Sequence, residues 1–259
     1  TAYHLLTEKE LEDLKVEVKL NTEPKAADLK GFDVVVNATG ASSYAPKVHG
    51  LADKIIPMEE IVACPKVACE FHPQDGRKPR KLEGTDVIVW GDHYAAVDTV
   101  ANLARLGKRV TVVTDRKEFA STVEVIHMYV LRKRFNQEDA EALESKPFKY
   151  PVTVYESSRI DEIREGEVVL VDKDFNHRTV PCDHVVTCWR KPNTAFLKEL
   201  RKAGIPAVNA GDSVVPRNLH AAVDEGASVG LALDEHKFLN PNNAYIDEVE
   251  LDIAGQLER

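Results

Sequence analysis

The chain has 259 residues, 43% of them hydrophobic, and a formal net charge of −9, which is room for one large or two modest domains with a proper core. Its interspersed charges exclude the concentrated basic surface that nucleic acid or an anionic membrane requires. No apolar run approaches the ~20 residues needed to span a bilayer and no signal peptide is read, so a cytoplasmic setting is the expectation.

Lys9 to Leu14 read as the end of a helix, and Val16-Glu-Val-Lys-Leu20 alternates as a half-buried strand would. The chain opens at Thr1 with no strand before Leu11, so an earlier segment is expected. Asp33 to Val36 is an apolar strand running into Asn37-Ala-Thr39-Gly40, small residues placed where the backbone comes close to a ligand or a crossing chain. Tyr44 and Pro46 leave the sheet. Ile55 to Val62 predicts a short strand and a turn of helix, and Pro65 to Pro79 predicts a loop. Cys64, Cys69, Cys182 and Cys188 are too few for a disulfide scaffold, and their C-x4-C and C-x5-C gaps fit neither a redox dithiol nor a zinc knuckle.

The centre of the chain is Thr85 to Asp115. Val87 to Trp90 form a buried strand that stops at Gly91; Ala96, Val100, Leu103, Ala104 and Leu106 then recur at helical spacing, and Gly107 ends that helix. Val110 to Val113 give a second strand. Two parallel strands joined by a helix are the first unit of a dinucleotide-binding fold. The turn departs from G-x-G-x-x-G/A: Gly91 holds the first place and Ala96 the last, but His93 stands where a glycine lets pyrophosphate approach the backbone. The helix start still favours an anion. Asp115 ends the second strand where a carboxylate accepts hydrogen bonds from a ribose, which prefers NAD or plain ADP over NADP, although Arg116 and Lys117 follow at once. The other reading is a Rossmann-like unit that has kept its core and lost its ligand. His93 and Tyr94 either face this second nucleotide or pack at the helix start.

Beyond Asp115, Thr122 to Phe135 has helical spacing through Val123, Ile126, Val130 and Leu131, with Arg132-Lys-Arg134 as a solvated face. Asp139 to Ser145 is a charged helix or exposed loop. Val152 to Tyr155 and Glu167 to Val171 are strands, the latter paired with the stretch around Thr179; Asp183 to Cys188 is another strand, and Leu197 to Ala203 a helix ending at Gly204. A strand from Ala207 ends at Gly211-Asp212, and a helix begins near Asn218-Leu219, where Ala221, Ala222, Gly226, Ala227 and Gly230 would let it lie close to a sheet or ligand. Asp212 either holds ribityl hydroxyls, as strand-end carboxylates of flavin sites do, or caps the helix. The tail from Pro241 predicts a helix or strand laid on the body. His49, His72, His93, His127, His177, His184 and His220 show no zinc spacing, and no serine sits in a G-x-S-x-G turn.

The strand ending in Ala38-Thr39-Gly40, the crossover at Gly91 and the closing Gly211-Asp212 with its Ala/Gly helix come in the order used by two-dinucleotide-domain flavoproteins. More narrowly, the chain resembles the carboxy-terminal half of the multidomain relatives of Old Yellow Enzyme, the dienoyl-CoA reductase and trimethylamine dehydrogenase group. The resemblance implies an α/β fold in which a Rossmann-like NAD(P)/ADP-binding domain, residues 85–195, is inserted in a partial FAD/ADP-binding domain, residues 1–84 and 196–259. It implies FAD or ADP beside Thr39, Gly40, Gly211, Asp212, Asn218 and Leu219, and NAD(H), NADP(H) or ADP beside Gly91, Asp92, His93, Ala96 and Asp115. FMN and a 4Fe-4S cluster are implied for an amino-terminal barrel, either an earlier segment of the same protein or a partner subunit, in an oligomer. The implied activity is a flavin-dependent oxidoreductase that passes electrons between NAD(P)H and FAD/FMN to reduce an enoyl-type substrate, its chemistry carried by cofactors and no residue here acting as nucleophile or metal ligand. Gly-Asp-His-Tyr at the turn resembles the amine-dehydrogenase side, where this half holds a structural ADP. Trp189-Arg190 departs from the glycine that reductases tend to have there. A non-catalytic docking module is the reading from another class.

Overall fold

The structure, a computed structural model, describes residues 2–61, 80–136 and 148–234. Along the described chain lie helix α1 (Ala2–Asp13), strands β1 (Val35–Asn37), β2 (Ala41–Ser43), β3 (His49–Gly50), β4 (Ile55–Pro57) and β5 (Asp86–Trp90), helix α2 (His93–Arg105), strand β6 (Arg109–Val113) and helix α3 (Val125–Phe135). Then follow β7 (Thr153–Tyr155), β8 (Ser158–Arg164), β9 (Glu167–Asp172), β10 (His177–Pro181), β11 (His184–Thr187) and β12 (Arg190–Pro192), helix α4 (Ala195–Lys202), β13 (Ala207–Asn209) and helix α5 (Leu219–Asp234).

The main sheet has the order β4-β11-β5-β6-β7 with every pairing parallel. Its central strands β11, β5 and β6 are largely apolar on both faces because both faces are covered, as parallel strands require, while the edge strand β7 leaves Thr153 and Val154 exposed. Val87 and Val89 of β5 and Val110 and Val112 of β6 point into one core with Val97, Val100 and Leu103 of α2 and Met128, Leu131 and Phe135 of α3. Ile88 and Trp90 alternate to the opposite face. There they meet Ile160, Ile163, Val168 and Leu170, carried by the antiparallel sheet β10-β9-β8, to whose edge β3 adds in parallel. Ile88, Val89, Val97 and Val100 are fully buried; each such side chain contributes roughly 1.5–3 kcal/mol of transfer free energy, an upper bound because the unfolded chain is not fully extended.

This is the predicted Rossmann-like α/β architecture, and β5-α2-β6 is its crossover unit. Gly107 closes α2 with φ +77, the left-handed conformation a glycine adopts without steric cost. Elsewhere β1 and β13 form a separate parallel pair, β2 and β12 an antiparallel one. β3 and β4 precede residue 85 in sequence yet are edge strands of sheets built from later residues.

Several expectations are corrected. Val16 to Leu20 forms no strand and joins no sheet, and Val16, Val18 and Leu20 are exposed; alternation alone does not supply a strand with a ladder partner. Leu106 is exposed because it is the C-cap of α2, where the backbone leaves helical geometry and the periodicity no longer aims the side chain. Helix α5 turns Ala222, Val229 and Leu233 inward, whereas Gly226, Ala227 and Gly230 face outward. Strand β8, which the sequence does not announce, contains a register shift between Ile160 and Glu162; this bulge breaks the period-two signal. The predicted loop from Pro65 to Pro79, Asp139 to Ser145 and the tail from Pro241 lie outside the described residues, as do Cys64 and Cys69.

Candidate functional site

Two loop clusters stand at the carboxyl ends of parallel strands, where open α/β folds take their ligands. The first follows β1 and β13. These strands are in register, Asn37 opposite Asn209, and both asparagines are buried. The Asn37 amide donates to Asn209 Oδ1 at 2.8 Å and to the Asn193 carbonyl at 3.0 Å, and its Oδ1 accepts the Thr39 hydroxyl at 2.9 Å. Asn193 precedes α4 and donates in turn to the Thr39 carbonyl at 3.0 Å. These bonds fix the loop that carries Thr39 and Gly40. Gly40 has φ +75 and open space where a Cβ would stand, and its N–H is held by Ser213 Oγ at 2.8 Å.

Gly211, Asp212 and Ser213 form a single 3-10 turn after β13. Gly211 has φ +64, and a Cβ there would meet Ala222 Cβ of α5 at 3.4 Å. Asp212 does not cap α5. Its Oδ1 accepts the Arg217 N–H at 3.0 Å, and its Oδ2 lies 3.3 Å from Arg190 Nη1. The cap is Asn218, whose Oδ1 accepts the Ala221 N–H at 2.9 Å, and Leu219 begins the helix largely exposed. Thr39, Gly40, Gly211, Asp212, Asn218 and Leu219 are therefore carried by two adjoining loops and one helix start. Arg190 adds a bond to the Ala41 carbonyl at 2.7 Å, while its buried Nε has no hydrogen-bond partner and lies 4.0 Å from Glu59 Oε1.

The second cluster lies at the ends of β5, β6 and β11, where the order of the main sheet reverses. Gly91 has φ +146, and a Cβ on it would stand 2.9 Å from Cys188 Cβ, so close packing on β11 alone accounts for this glycine. Asp92 is 1% exposed. Its Oδ1 accepts the Ala120 N–H at 2.6 Å and its Oδ2 is buried without a partner. His93, in the place of the second glycine, has φ +72 and its Nδ1 lies 3.3 Å from Thr122 Oγ1. Ala96 is fully buried against the sheet. Asp115 is partly exposed beyond β6. The Thr187 hydroxyl at the end of β11 donates to the Tyr44 carbonyl at 2.9 Å, and burial first, then the charge of Asp115, push the Tyr44 phenol above its ordinary range. The backbone N–H of Tyr44 donates to the Trp189 carbonyl at 3.0 Å.

Gly91, Asp92, His93, Ala96 and Asp115 thus share one strand-end cluster. Asn37, Asn193, Asn209, Ser213 and Tyr44 are the site residues that sequence reasoning missed. The available signal was that each of the three asparagines ends a strand or enters a helix, where an amide serves backbone groups left unpaired.

A family model described as pyridine nucleotide-disulphide oxidoreductase matches residues 7–225. The chain belongs to that family. Among solved structures it is similar to a 2-naphthoyl-CoA reductase, at 22% identity and a TM-score of 0.64, covering 86% of this chain and 30% of that one. It is also similar to histamine dehydrogenase from Rhizobium sp. 4-9, at 20% identity and a TM-score of 0.60, covering 83% and 33%. A third is 6-hydroxypseudooxynicotine amine oxidase from Pseudomonas geniculata N1, at 20% identity and a TM-score of 0.60, covering 88% and 34%. The chain spans about a third of the length of each of these proteins.

The family's disulphide chemistry finds no dithiol in the two cysteines that are described. Cys182 belongs to the core on one face of the main sheet and Cys188 to the core on the other. Burial pushes each thiol up to about 12, so neither is a thiolate at neutral pH. Among the described residues there is no cluster of His, Cys, Asp and Glu able to hold a metal ion, and no helix long and apolar enough to cross a membrane.

Proposed function

We propose that this chain is the nucleotide-binding half of a flavin-dependent oxidoreductase of the multidomain Old Yellow Enzyme-related group. In this reading residues 1–84 and 196–259 form a partial FAD/ADP domain, residues 85–195 a second dinucleotide unit inserted in it, and the segment from His49 to Ile61 packs on the inserted unit. The observation that carries the reading is the union of the two loops at the first cluster, Gly40 N–H on Ser213 Oγ beside the capped start of α5. Thr39, Gly40, Gly211, Asp212, Asn218 and Leu219 would hold the nucleotide. Gly40 offers open space on its α-carbon, and the start of α5, where Asn218 takes the Ala221 N–H, directs the positive end of a helix toward the loops. A flavin, when bound, supplies hydride and one-electron chemistry. The protein's own part is to bind and orient it through these groups. FMN and the 4Fe-4S cluster belong to an amino-terminal barrel, on the same polypeptide or on a partner subunit, in an oligomer working in the cytoplasm.

Two routes for electrons fit this frame. On the reductase route NAD(P)H at Gly91, Ala96 and Asp115 reduces the flavin, and an enoyl-type substrate is reduced in the barrel. On the amine-dehydrogenase route the half holds a structural ADP and takes no nicotinamide. The buried Asp92 and the side chain of His93 favour the second route, because a pyrophosphate needs a glycine and free N–H groups at this turn. Native mass spectrometry of the purified protein with its partners tests the reading. Recovery of FAD or ADP with this chain is the expected result. A chain that flies without a nucleotide in the presence of its barrel would refute it.

A further inference from the structure

The three residues that follow Gly91 are each tied to one short stretch of chain, residues 119–124, which lies between β6 and α3. Asp92 Oδ1 accepts the N–H of Ala120 at 2.6 Å, His93 Nδ1 lies 3.3 Å from Thr122 Oγ1, and the Tyr94 hydroxyl accepts the N–H of Glu124 at 3.1 Å. The stretch is anchored from below. Phe119, Ala120 and Val123 are buried in the core under α2 and α3, and the Phe119 N–H is held by Glu156 Oε1 at 2.8 Å. Backbone strain collects at the contact: His93 at φ +72 and Ala120 at φ +58 are both non-glycine residues in the left-handed region, one on each side of the Asp92 bond. Such conformations persist only where the surroundings enforce them. The buried, unpartnered Asp92 Oδ2 adds a carboxylate oxygen at the helix start. A bound phosphate there would meet a like charge with little water to screen it.

Trp189 follows β11 where the sheet order reverses, packs against the core around Ile88 and Trp90, and buries its indole N–H without a partner.

We propose that residues 119–124 act as an internal strap in the place of a dinucleotide pyrophosphate, and that Asp92, His93 and Tyr94 are the residues that exclude nicotinamide dinucleotides from the second unit. This rests on the reading of the chain as a two-nucleotide flavoprotein half and decides which of its two electron routes is open. The exclusion comes from three ties and a buried anchor rather than from the loss of one glycine. A glycine at position 93 alone therefore leaves the site closed.

Hydrogen–deuterium exchange on the full chain, with millimolar NADH, NADPH or ADP, tests this, alongside an NADH fluorescence titration. In the wild-type protein the amides of Ala120 and Glu124 are expected to be protected and unmoved by NADH or NADPH, with no saturable fluorescence change. His93→Gly is expected to behave the same. The double variant Asp92→Gly/His93→Gly is expected to exchange about tenfold faster at Ala120, as the loss of its strongest tie requires, and to bind NADH saturably. Saturable NADH binding by the wild-type protein would overturn the proposal. So would a folded double variant with a freed strap that still takes no NADH. Should the double variant fail to fold, the wild-type titration and exchange decide alone. Protection by ADP at Gly40, Asp212 and the start of α5 reports separately on the first unit; its absence would count against the two-nucleotide reading and leave the strap result standing.

Discussion

Replacing Asn37 with alanine tests whether the amide network holds the two parts of the chain together. Asn37 is 2% exposed, and its side chain donates to Asn209 Oδ1 at 2.8 Å and the Asn193 carbonyl at 3.0 Å and accepts from Thr39 Oγ1 at 2.9 Å. Thr39 is exposed and Asn193 half-buried, so water can replace much of what they lose. Asn209 is buried, and its carbonyl would be left without a donor at a cost of about 1–3 kcal/mol. With the lost packing of the amide itself, Asn37→Ala should destabilise by about 2–3 kcal/mol, or roughly 5–10 °C in Tm for a chain of this size. Urea unfolding followed by circular dichroism measures it. Asn209→Ala and the double variant complete a cycle, in which the double variant should cost about 1 kcal/mol less than the sum. A single-variant loss below about 0.5 kcal/mol, or strict additivity in the cycle, would mean that the network satisfies its own groups without joining β1 and β13 to the segment before α4.

Gly91→Ala should cost roughly 2–4 kcal/mol in the absence of any nucleotide, because its Cβ would stand 2.9 Å from Cys188 Cβ at φ +146; differential scanning calorimetry on the ligand-free chain checks it, and an unchanged Tm would return this glycine to a ligand-binding role. Iodoacetamide at pH 8 should leave Cys182 and Cys188 unlabelled in the native protein and label both in urea, read by peptide mass spectrometry, since burial holds both thiols near 12. The N–H groups of Asp86 and Thr85, at 2.9 and 2.7 Å, hold the Asp183 carboxyl below its usual range. Its contribution is therefore complete above an ordinary carboxylate pKa of about 3.9 and lost as pH falls through the lower folded value. The stability gap between wild type and Asp183→Asn should be constant from pH 7 to pH 5 and close on further acidification; a gap that widens in acid would reverse the sign of this argument. Asn218→Ala, which removes the α5 cap, should lower stability by about 1 kcal/mol in urea unfolding.

The parts of the fold that were legible in the sequence are those where burial repeats. Val87 to Trp90, and Val110 to Val113 apart from Thr111, are apolar because helices cover one face and a second sheet the other, and the spacing of Ala96, Val100 and Leu103 names the helix between them. The parts that stayed hidden depend on partners distant in sequence. Strands β2 and β12, three residues each and polar, exist because Ser42 and Ser43 meet Lys191 and Arg190 some 150 residues away. The first site was legible as a set of glycines and a carboxylate, since backbone conformations restrict residue type. Its asparagine supports were not, because an amide on a strand end reads equally well as a turn residue.

The second site shows why a motif can lose its glycine while the fold survives. In a dinucleotide unit the first glycine of the turn makes the tight turn and the second opens the backbone to the pyrophosphate. Here the first glycine persists as Gly91, in close contact with Cys188, and His93 stands in the place of the second; Asp92, His93 and Tyr94 bond to residues 119–124, which on the proposal above replaces the phosphate contact. The energetics favour this separation. The core beneath the turn contains Ala96, Val97, Val100 and Leu103, all essentially inaccessible to solvent, and their burial is worth several kcal/mol whether or not a ligand binds. The left-handed conformations of His93 and Ala120 cost of order 1–3 kcal/mol each, which that core and the three ties can offset. A turn under selection for phosphate would be expected to shed that strain by returning a glycine to position 93. At this turn the strain stands beside three hydrogen bonds to residues 119–124, with Asp92 Oδ2 left buried and without a hydrogen-bond partner.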